Sequence, residues 1–471
     1  MSDPAQTPRA LRELPPEFLT ALRSHFAEDQ WVADTERLRE YGRDESDYGE
    51  FPPQIALLAE STEQVAALFK LCCAFGVPVT PCGARSGKSG GSLPLTGGVS
   101  LSIERMNRIK SISVEDMVAV VQPGVITGTF MKAVEEKGLF YPPDPNSLDF
   151  CTLGGNIAEN AGGPRALKYG VTRDYVIGLE WVLPDGSVLE VGRHTIKGVA
   201  GYDLVGLFVG SEGTLGVATE IVVQLIPLPK LVRTALVLFL NVHDAARAVS
   251  AVLAKGLLPR CLELFDELCI QAIGERGFRF QPSVGAAVLL EVDGSIDAAL
   301  SQELEAVGAI CEAHGATEIL VAQDEEQRQR LWSARRVLST ALRALKRFKV
   351  SDDIAVPRSR IAQAVERFKA IGASLGLTVA TYGHAGDGNL HANILFDSPS
   401  DRPKVDEAVE RILAYTVSVG GTITGEHGIG IAKRRYLSME QSGALISLQR
   451  SLKGFFDPSG ILNPGKMFPP P

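Results

Sequence analysis

Val77-Pro78-Val79-Thr80, running straight into Pro81-Cys82-Gly83-Ala84-Arg85-Ser86-Gly87-Lys88-Ser89-Gly90-Gly91, is the stretch on which the reading of the fold turns. The first part reads as a strand, and the loop behind it is rich in glycine. A loop of this kind lets successive backbone N–H groups turn inward together and form an anion-binding nest, a cradle for phosphates. It is not a P-loop in frame. That pattern needs a glycine five residues before Gly87, where the chain has Cys82, one residue short of Gly83. Nor does the loop contain G-x-G-x-x-G. Taken by itself, it is as readily an ordinary glycine turn.

Working outward, Ile55-Ala56-Leu57-Leu58 reads as a strand, Ser61-Thr62-Glu63-Gln64 as a helix start and Val65 to Phe75 as a helical stripe, so β-α-β leads into the glycines. Upstream, Pro16 to Phe26 is helix-like and Tyr41 to Asp47 is charged, an entry segment. Downstream, short strands such as Val99 to Ile103 and Met117 to Gln122 precede Pro142-Pro143-Asp144-Pro145, stiff enough to fix a loop against a flat ligand. A second block of small residues spans Thr152 to Gly163, with Gly154, Gly155, Asn156, Asn160, Gly162 and Gly163, and a third spans Gly206 to Gly216. Two such loops suit a pyrophosphate held from both sides. After Ile226-Pro227-Leu228-Pro229 the texture changes to alternating strand and helix, with Ala235 to Leu240 a buried strand and Asp244 to Ala254 a helix. A domain boundary therefore falls near Pro229.

With 471 residues the chain is long enough for two or three domains, and its 45% hydrophobic and 22% charged content is that of a globular protein. A net charge of −9 argues against a nucleic-acid partner. The seven cysteines (72, 73, 82, 151, 261, 269 and 311) include no C-x-x-C pair, which argues against both a disulfide framework and a resident iron–sulfur cluster. Met1 to Ala10 lacks the apolar stretch of a leader, and no apolar run approaches a bilayer span, so a cytoplasmic protein is expected.

Three of the seven histidines, His384, His391 and His427, sit in glycine-rich blocks near the C-terminus. H-x6-H is not the spacing of a helical zinc site; it suits a loop folding back onto a strand. Glu426 and His427 are adjacent, and in an extended Thr422 to His427 they would point to opposite sides, one free for a metal and the other for something else. A hydrogen-bonded cluster without an ion is the plainer alternative. In the helical stretch Asp324 to Leu345, Arg335 and Ser339 are i, i+4 neighbours. Arginine grips carboxylates bidentately.

Together, Pro81 to Gly91, Pro143-Asp144-Pro145, Leu153-Gly154-Gly155-Asn156, Gly210-Ser211-Glu212-Gly213-Thr214-Leu215-Gly216, Gly383 to His391, Gly425-Glu426-His427-Gly428 and Asn463-Pro464-Gly465-Lys466 resemble the FAD-linked oxidases of the vanillyl-alcohol oxidase type, in the branch of D-lactate, glycolate and D-2-hydroxyglutarate dehydrogenases. The resemblance implies an α+β fold with a two-subdomain FAD-binding domain and an α+β substrate (cap) domain. The expected division is an entry segment 1–49, the FAD domain 50–229, the substrate domain 230–430 and a segment 431–471 returning to the FAD domain.

FAD is expected along Pro81, Cys82, Gly83, Ala84, Arg85, Ser86, Gly87, Lys88 and Ser89, at Pro143 and Asp144, along Thr152, Gly154, Gly155, Asn156, Asn160, Gly162 and Gly163, and at Glu212, Gly213 and Asn463. With no histidine in the first glycine loop, it should be non-covalent. By the same resemblance, His384, His391 and Glu426 match ligands of a divalent metal, zinc or manganese, and His427 matches the catalytic base. Arg335 and Ser339 match carboxylate-binding positions, Asn393 a substrate hydrogen bond, and Lys349 is a weaker candidate. The hydroxyglutarate members carry a lysine where this chain has Ser351, which favours a monocarboxylate. Electrons would pass to a quinone, a cytochrome, an electron-transfer flavoprotein or an iron–sulfur partner subunit, with the protein cytoplasmic or peripheral to a membrane and a homodimer allowed. Two other classes compete. A P-loop-like nucleotide hydrolase would use Gly87-Lys88-Ser89; a metal-dependent hydrolase would use the histidines but leave the glycine blocks without a role.

Overall fold

The helix before the first glycine loop, Thr62–Phe75, begins where Ser61 accepts a hydrogen bond from the Gln64 N–H and ends at Gly76, whose φ of 63° suits glycine. Its Val65, Leu68, Phe69 and Cys72 fall on one face and are buried. The computed structural model describes residues 13–278 and 280–470, so the sequence reading of Met1 to Ala10 lies outside the described residues. The chain divides into two units: Met1–Ala161 with Val171–Leu228 and His427–Pro471, and Gly162–Gly170 with Pro229–Glu426. Gly162–Gly170 and His427 to Gly430 thus group the other way from the sequence division, which set the first in the FAD domain and the second in the substrate domain.

In the first unit, β1 (Trp31–Val32), β2 (Ile55–Leu58), β3 (Val79–Cys82) and β4 (Val99–Ser102) form a sheet in the order β1-β2-β4-β3, with β2, β4 and β3 parallel. Parallel strands are covered on both faces, and every residue of β2 and β4 is buried. The chain continues through β5 (Ile109–Ser113), β6 (Val118–Val121), β7 (Leu139–Phe140), β8 (Val176–Val182), β9 (Val188–Gly192), β10 (Val217–Gln224) and β11 (Ile226–Pro227). Of these, an antiparallel sheet takes the order β5-β6-β10-β8-β9, while β7 and β11 pair with each other. The C-terminal segment returns to β3: the Val79 N–H donates to the Ile461 carbonyl at 2.9 Å, and the Asn463 N–H donates to the Val79 carbonyl at 2.8 Å.

The second unit is built on an antiparallel sheet of β12 (Leu231–Phe239), β13 (Cys261–Phe265), β14 (Ala286–Gly294), β15 (Ala316–Val321), β16 (Phe348–Ala355), β17 (Thr378–His384) and β18 (Asn389–Phe396), ordered β15-β12-β14-β13-β17-β18-β16. The helices Glu267–Gly274 and Glu325–Leu345 pack on one face, through Cys269, Ile273, Ala334, Leu338, Ala341 and Leu342 against Leu236, Leu289, Phe265 and Ala380. The excursion Gly162–Gly170 is fixed to this unit by Lys168 and Tyr169. Lys168 Nζ donates to Asp293 Oδ1 at 2.6 Å, and the Tyr169 hydroxyl donates to Oδ2 at 2.8 Å. Among the described residues no helix is long and apolar enough to cross a membrane.

Candidate active site

The glycine loops of the first unit meet through side chains. Asn463 Nδ2 donates to the carbonyls of Gly91 (3.0 Å) and Glu212 (2.9 Å), joining the first loop, the third block and the tail. Glu212 in turn accepts from the N–H groups of Ile429 and Gly430 at 2.7 and 2.6 Å. Thr152 caps the helix Leu153–Glu159 by accepting from the Gly155 N–H. The approach is close enough that a Cβ on Gly83 would lie 2.4 Å from Thr152 Oγ1, so no larger residue fits there. Arg85, Asn160, Glu212 and Asn463 all hold left-handed backbone, with φ from 43° to 59°. Such strain concentrates where a site over-determines the chain.

These blocks also hold buried polar atoms with no hydrogen-bond partner among the described residues: Arg85 Nη1, Ser89 Oγ, Ser92 Oγ, Ser211 Oγ and Glu159 Oε2. Buried polar groups are ordinarily satisfied, so this concentration fits a polar ligand as large as FAD. Glu159, which sequence patterns did not single out, lies against Gly428, whose Cβ would come within 2.2 Å of its Oε2. Burial, then Glu212 and Asp44, push its carboxyl well above the usual carboxylate range. Lys88 is exposed, and Gly83 to Gly98 contains no helix, so the P-loop reading lacks the helix N-terminus it needs. Gly162 and Gly163 belong to the second unit.

In the second unit, strand register builds the site. Glu263 lies opposite His384, Tyr382 opposite His391, and His391 opposite Asp353, so one sheet face carries all five. His384, His391 and Glu426 offer ligand atoms that all lie within 4.8 Å of one another. Both imidazoles turn Nε2 to Glu426, at 3.8 Å for His384 and 3.5 Å for His391. Each turns Nδ1 to a second carboxylate: His384 bonds Glu263, and His391 Nδ1 lies 3.9 Å from Asp353. Two nitrogens and a carboxylate oxygen, with the far ring nitrogens facing carboxylates, fit a divalent metal such as zinc. Burial works against a charged His384, yet Glu263 and then Glu426 hold its pKa well above the usual histidine range. Burial likewise opposes ionisation of Glu263, but His384 and Arg335 bring its pKa down to about 2.

The segment carrying Glu426 is not extended. Thr422 bridges Ala355, and the chain then bends, because Asp353 Oδ2 accepts from the N–H groups of Gly425 (2.8 Å) and Glu426 (2.9 Å) and from Thr424 Oγ1. The alternation argued for Glu426 and His427 therefore does not apply; the division between units falls between them. Arg335 is buried, donates its Nε to Glu263 and stacks 4.8 Å over Tyr382, while Arg336 is exposed. Ser339 and Lys349 meet each other, Lys349 Nζ donating to Ser339 Oγ at 2.6 Å. Asn393 is buried and donates Nδ2 to the His391 carbonyl at 2.9 Å; its Oδ1 has no hydrogen-bond partner among the described residues. Glu263 was missed in the sequence. Its signal was a charge inside the apolar run Cys261-Leu262-Glu263-Leu264-Phe265.

Comparison with known proteins matches residues 53–192 to a FAD binding domain and residues 228–467 to the C-terminal domain of FAD linked oxidases. The chain is 43% identical over 419 residues to the glycolate oxidase subunit GlcD of Bacillus subtilis, covering 88% of this chain and 89% of that one. It is 36% identical over 430 residues to a D-lactate dehydrogenase of Anaerostipes hadrus, covering 89% and 90%. Among solved structures, 4-ethylphenol oxidase from Gulosibacter chungangensis superposes with a TM-score of 0.79 at 21% identity, covering 98% of both chains. That likeness supports the α+β fold.

Proposed function

Because the chain belongs to the FAD-linked oxidases of the vanillyl-alcohol oxidase type, in the branch with glycolate oxidase subunits and D-lactate dehydrogenases, we propose that it oxidises a small D-2-hydroxy acid, D-lactate or glycolate, to the 2-oxo acid. The observation that carries this reading is the sheet face on which His384, His391 and Glu426 converge, with Arg335 tied to the same face through Glu263. When bound, FAD supplies the acceptor for the hydride that leaves C2, and a divalent metal, zinc or manganese, supplies a Lewis acid for the hydroxyl. Arg335 holds the substrate carboxylate through its terminal nitrogens, with Ser339 one helical turn away and Lys349, on β16, bonded to Ser339. Asn393 Oδ1, which has no hydrogen-bond partner among the described residues, accepts one from substrate. His427, joined to Glu426 by a peptide bond, takes the hydroxyl proton on an imidazole nitrogen.

The glycine loops hold FAD non-covalently, since the first offers no histidine for attachment. Ser351 in place of a lysine favours a monocarboxylate. Electrons leave to an external acceptor, a quinone, a cytochrome, an electron-transfer flavoprotein or an iron–sulfur partner subunit, and the protein works in the cytoplasm or at a membrane surface. Turnover with an artificial electron-accepting dye tests the reading. D-lactate or glycolate should yield 2-oxo acid equal to the dye reduced, and His427→Ala should slow this by about 10²–10⁴-fold with FAD retained. A His427→Ala protein as fast as wild type would remove His427 as the base, and oxidation of L-lactate but neither of these acids would overturn the substrate assignment.

A further inference from the structure

Resting on the reading above, we propose that Glu263 is a positioning residue that locks the metal ligand His384 and the substrate arginine Arg335 to one carboxylate, so that metal binding and substrate-carboxylate binding are coupled through it. Glu263 is fully buried in β13, a strand whose five residues are all buried. A charge there is costly unless both oxygens are paired. They are: Oε1 accepts from His384 Nδ1, and Oε2 accepts from Arg335 Nε. The first bond holds a proton on Nδ1, so the nitrogen that gives up its proton to take an ion is Nε2, which faces Glu426. The second, with the stacking on Tyr382, fixes the guanidinium plane and leaves its terminal nitrogens for a carboxylate. Asp353 serves the other half of the cluster, beside His391 and under the backbone of Gly425 and Glu426. Arg335 is anchored from the Glu263 side.

The donor and acceptor count makes the coupling testable. A carboxylate offers an acceptor to both partners, whereas a glutamine offers one acceptor and one NH2 donor. In Glu263→Gln, an NH2 turned to His384 forces Nδ1 to accept. Nε2 then carries the proton and can no longer ligate. An NH2 turned to Arg335 opposes the Nε–H and displaces the guanidinium. One function must weaken whichever way the amide turns. Glu263→Asp keeps two acceptors on a shorter arm and should recover part of both.

The test uses full-length protein saturated with FAD, with zinc affinity measured by chelator competition, the D-lactate KM measured at saturating zinc, and FAD content and melting temperature measured alongside. Glu263→Gln should lose 10- to 100-fold in zinc affinity, or raise the D-lactate KM by a similar factor, at unchanged FAD content, with Glu263→Asp in between. A merely structural role would lower the melting temperature while leaving the zinc affinity and KM of the folded protein alone; that result would overturn the proposal. Should Glu263→Gln fail to fold, Glu263→Asp decides on the same two constants, wild-type values for both being contrary. Wild-type protein that binds neither zinc nor manganese would instead bring down the metal reading itself, separately from any result on the variants.

Discussion

Lys466 is a lysine with almost no solvent: it is 4% exposed, and its Nζ donates to the Leu93 carbonyl and to Asn463 Oδ1. Burial pushes its pKa down to about 7, with Arg434 adding to the shift and Asp44 and Glu212 opposing it. In the unfolded chain it holds its proton up to about 10.4. Between those values the unfolded state binds more protons than the fold, so this group makes stability rise with pH from about 7 to about 10 and adds no slope below. Lys466→Met should flatten the rise in melting temperature between about pH 7 and 9 relative to wild type; equal slopes in the two proteins would contradict the burial argument. At this scale, what the sequence disclosed was chemistry announced by residue type and context. His384, His391 and Glu426 stood in glycine-rich blocks and do converge. Glu263 stayed hidden because its partner His384 lies 121 residues away, a distance bridged only by the register of β13 with β17.

The helix Glu325–Leu345 is the element that presents Arg335, and its buried Ala334, Leu338, Ala341 and Leu342 seat it on the sheet. Leu338 is fully buried. Truncating it leaves a cavity in that seat, so Leu338→Ala should cost about 2–5 kcal/mol in chemical denaturation. A loss under about 1 kcal/mol would mean that the helix is held by its polar contacts instead. Helical periodicity made this element legible over Asp324 to Leu345; Asp324 proves to be its cap, accepting from the Gln327 N–H. Alternation was less informative at Thr422 to His427. There the N–H groups of Gly425 and Glu426 go to the Asp353 carboxylate rather than to a neighbouring strand, and a side-chain acceptor distant in sequence bends what local pattern reads as extended. The buried strand read as Ala235 to Leu240 begins earlier, at Leu231, and ends at Phe239, with Leu240 exposed.

At the scale of the whole molecule, the two units draw on discontinuous stretches of chain, and the glycine and histidine blocks are distributed between them. The first unit carries loops with strained backbone and unsatisfied buried polar atoms suited to FAD, and the second carries the convergent donors suited to a metal. Fold class was legible because the order of glycine blocks along the chain is itself a long-range pattern. The grouping of Gly162–Gly170 with the second unit was not, since it depends on Lys168 and Tyr169 reaching Asp293. The most direct measurement is the visible absorption spectrum of the purified protein, recorded anaerobically before and after D-lactate, L-lactate, glycolate and D-2-hydroxyglutarate are added in turn. A yellow protein bleached by D-lactate or glycolate and left unchanged by L-lactate is the predicted result. A yellow protein bleached by none of these acids, or a colourless one that FAD cannot reconstitute, would contradict it.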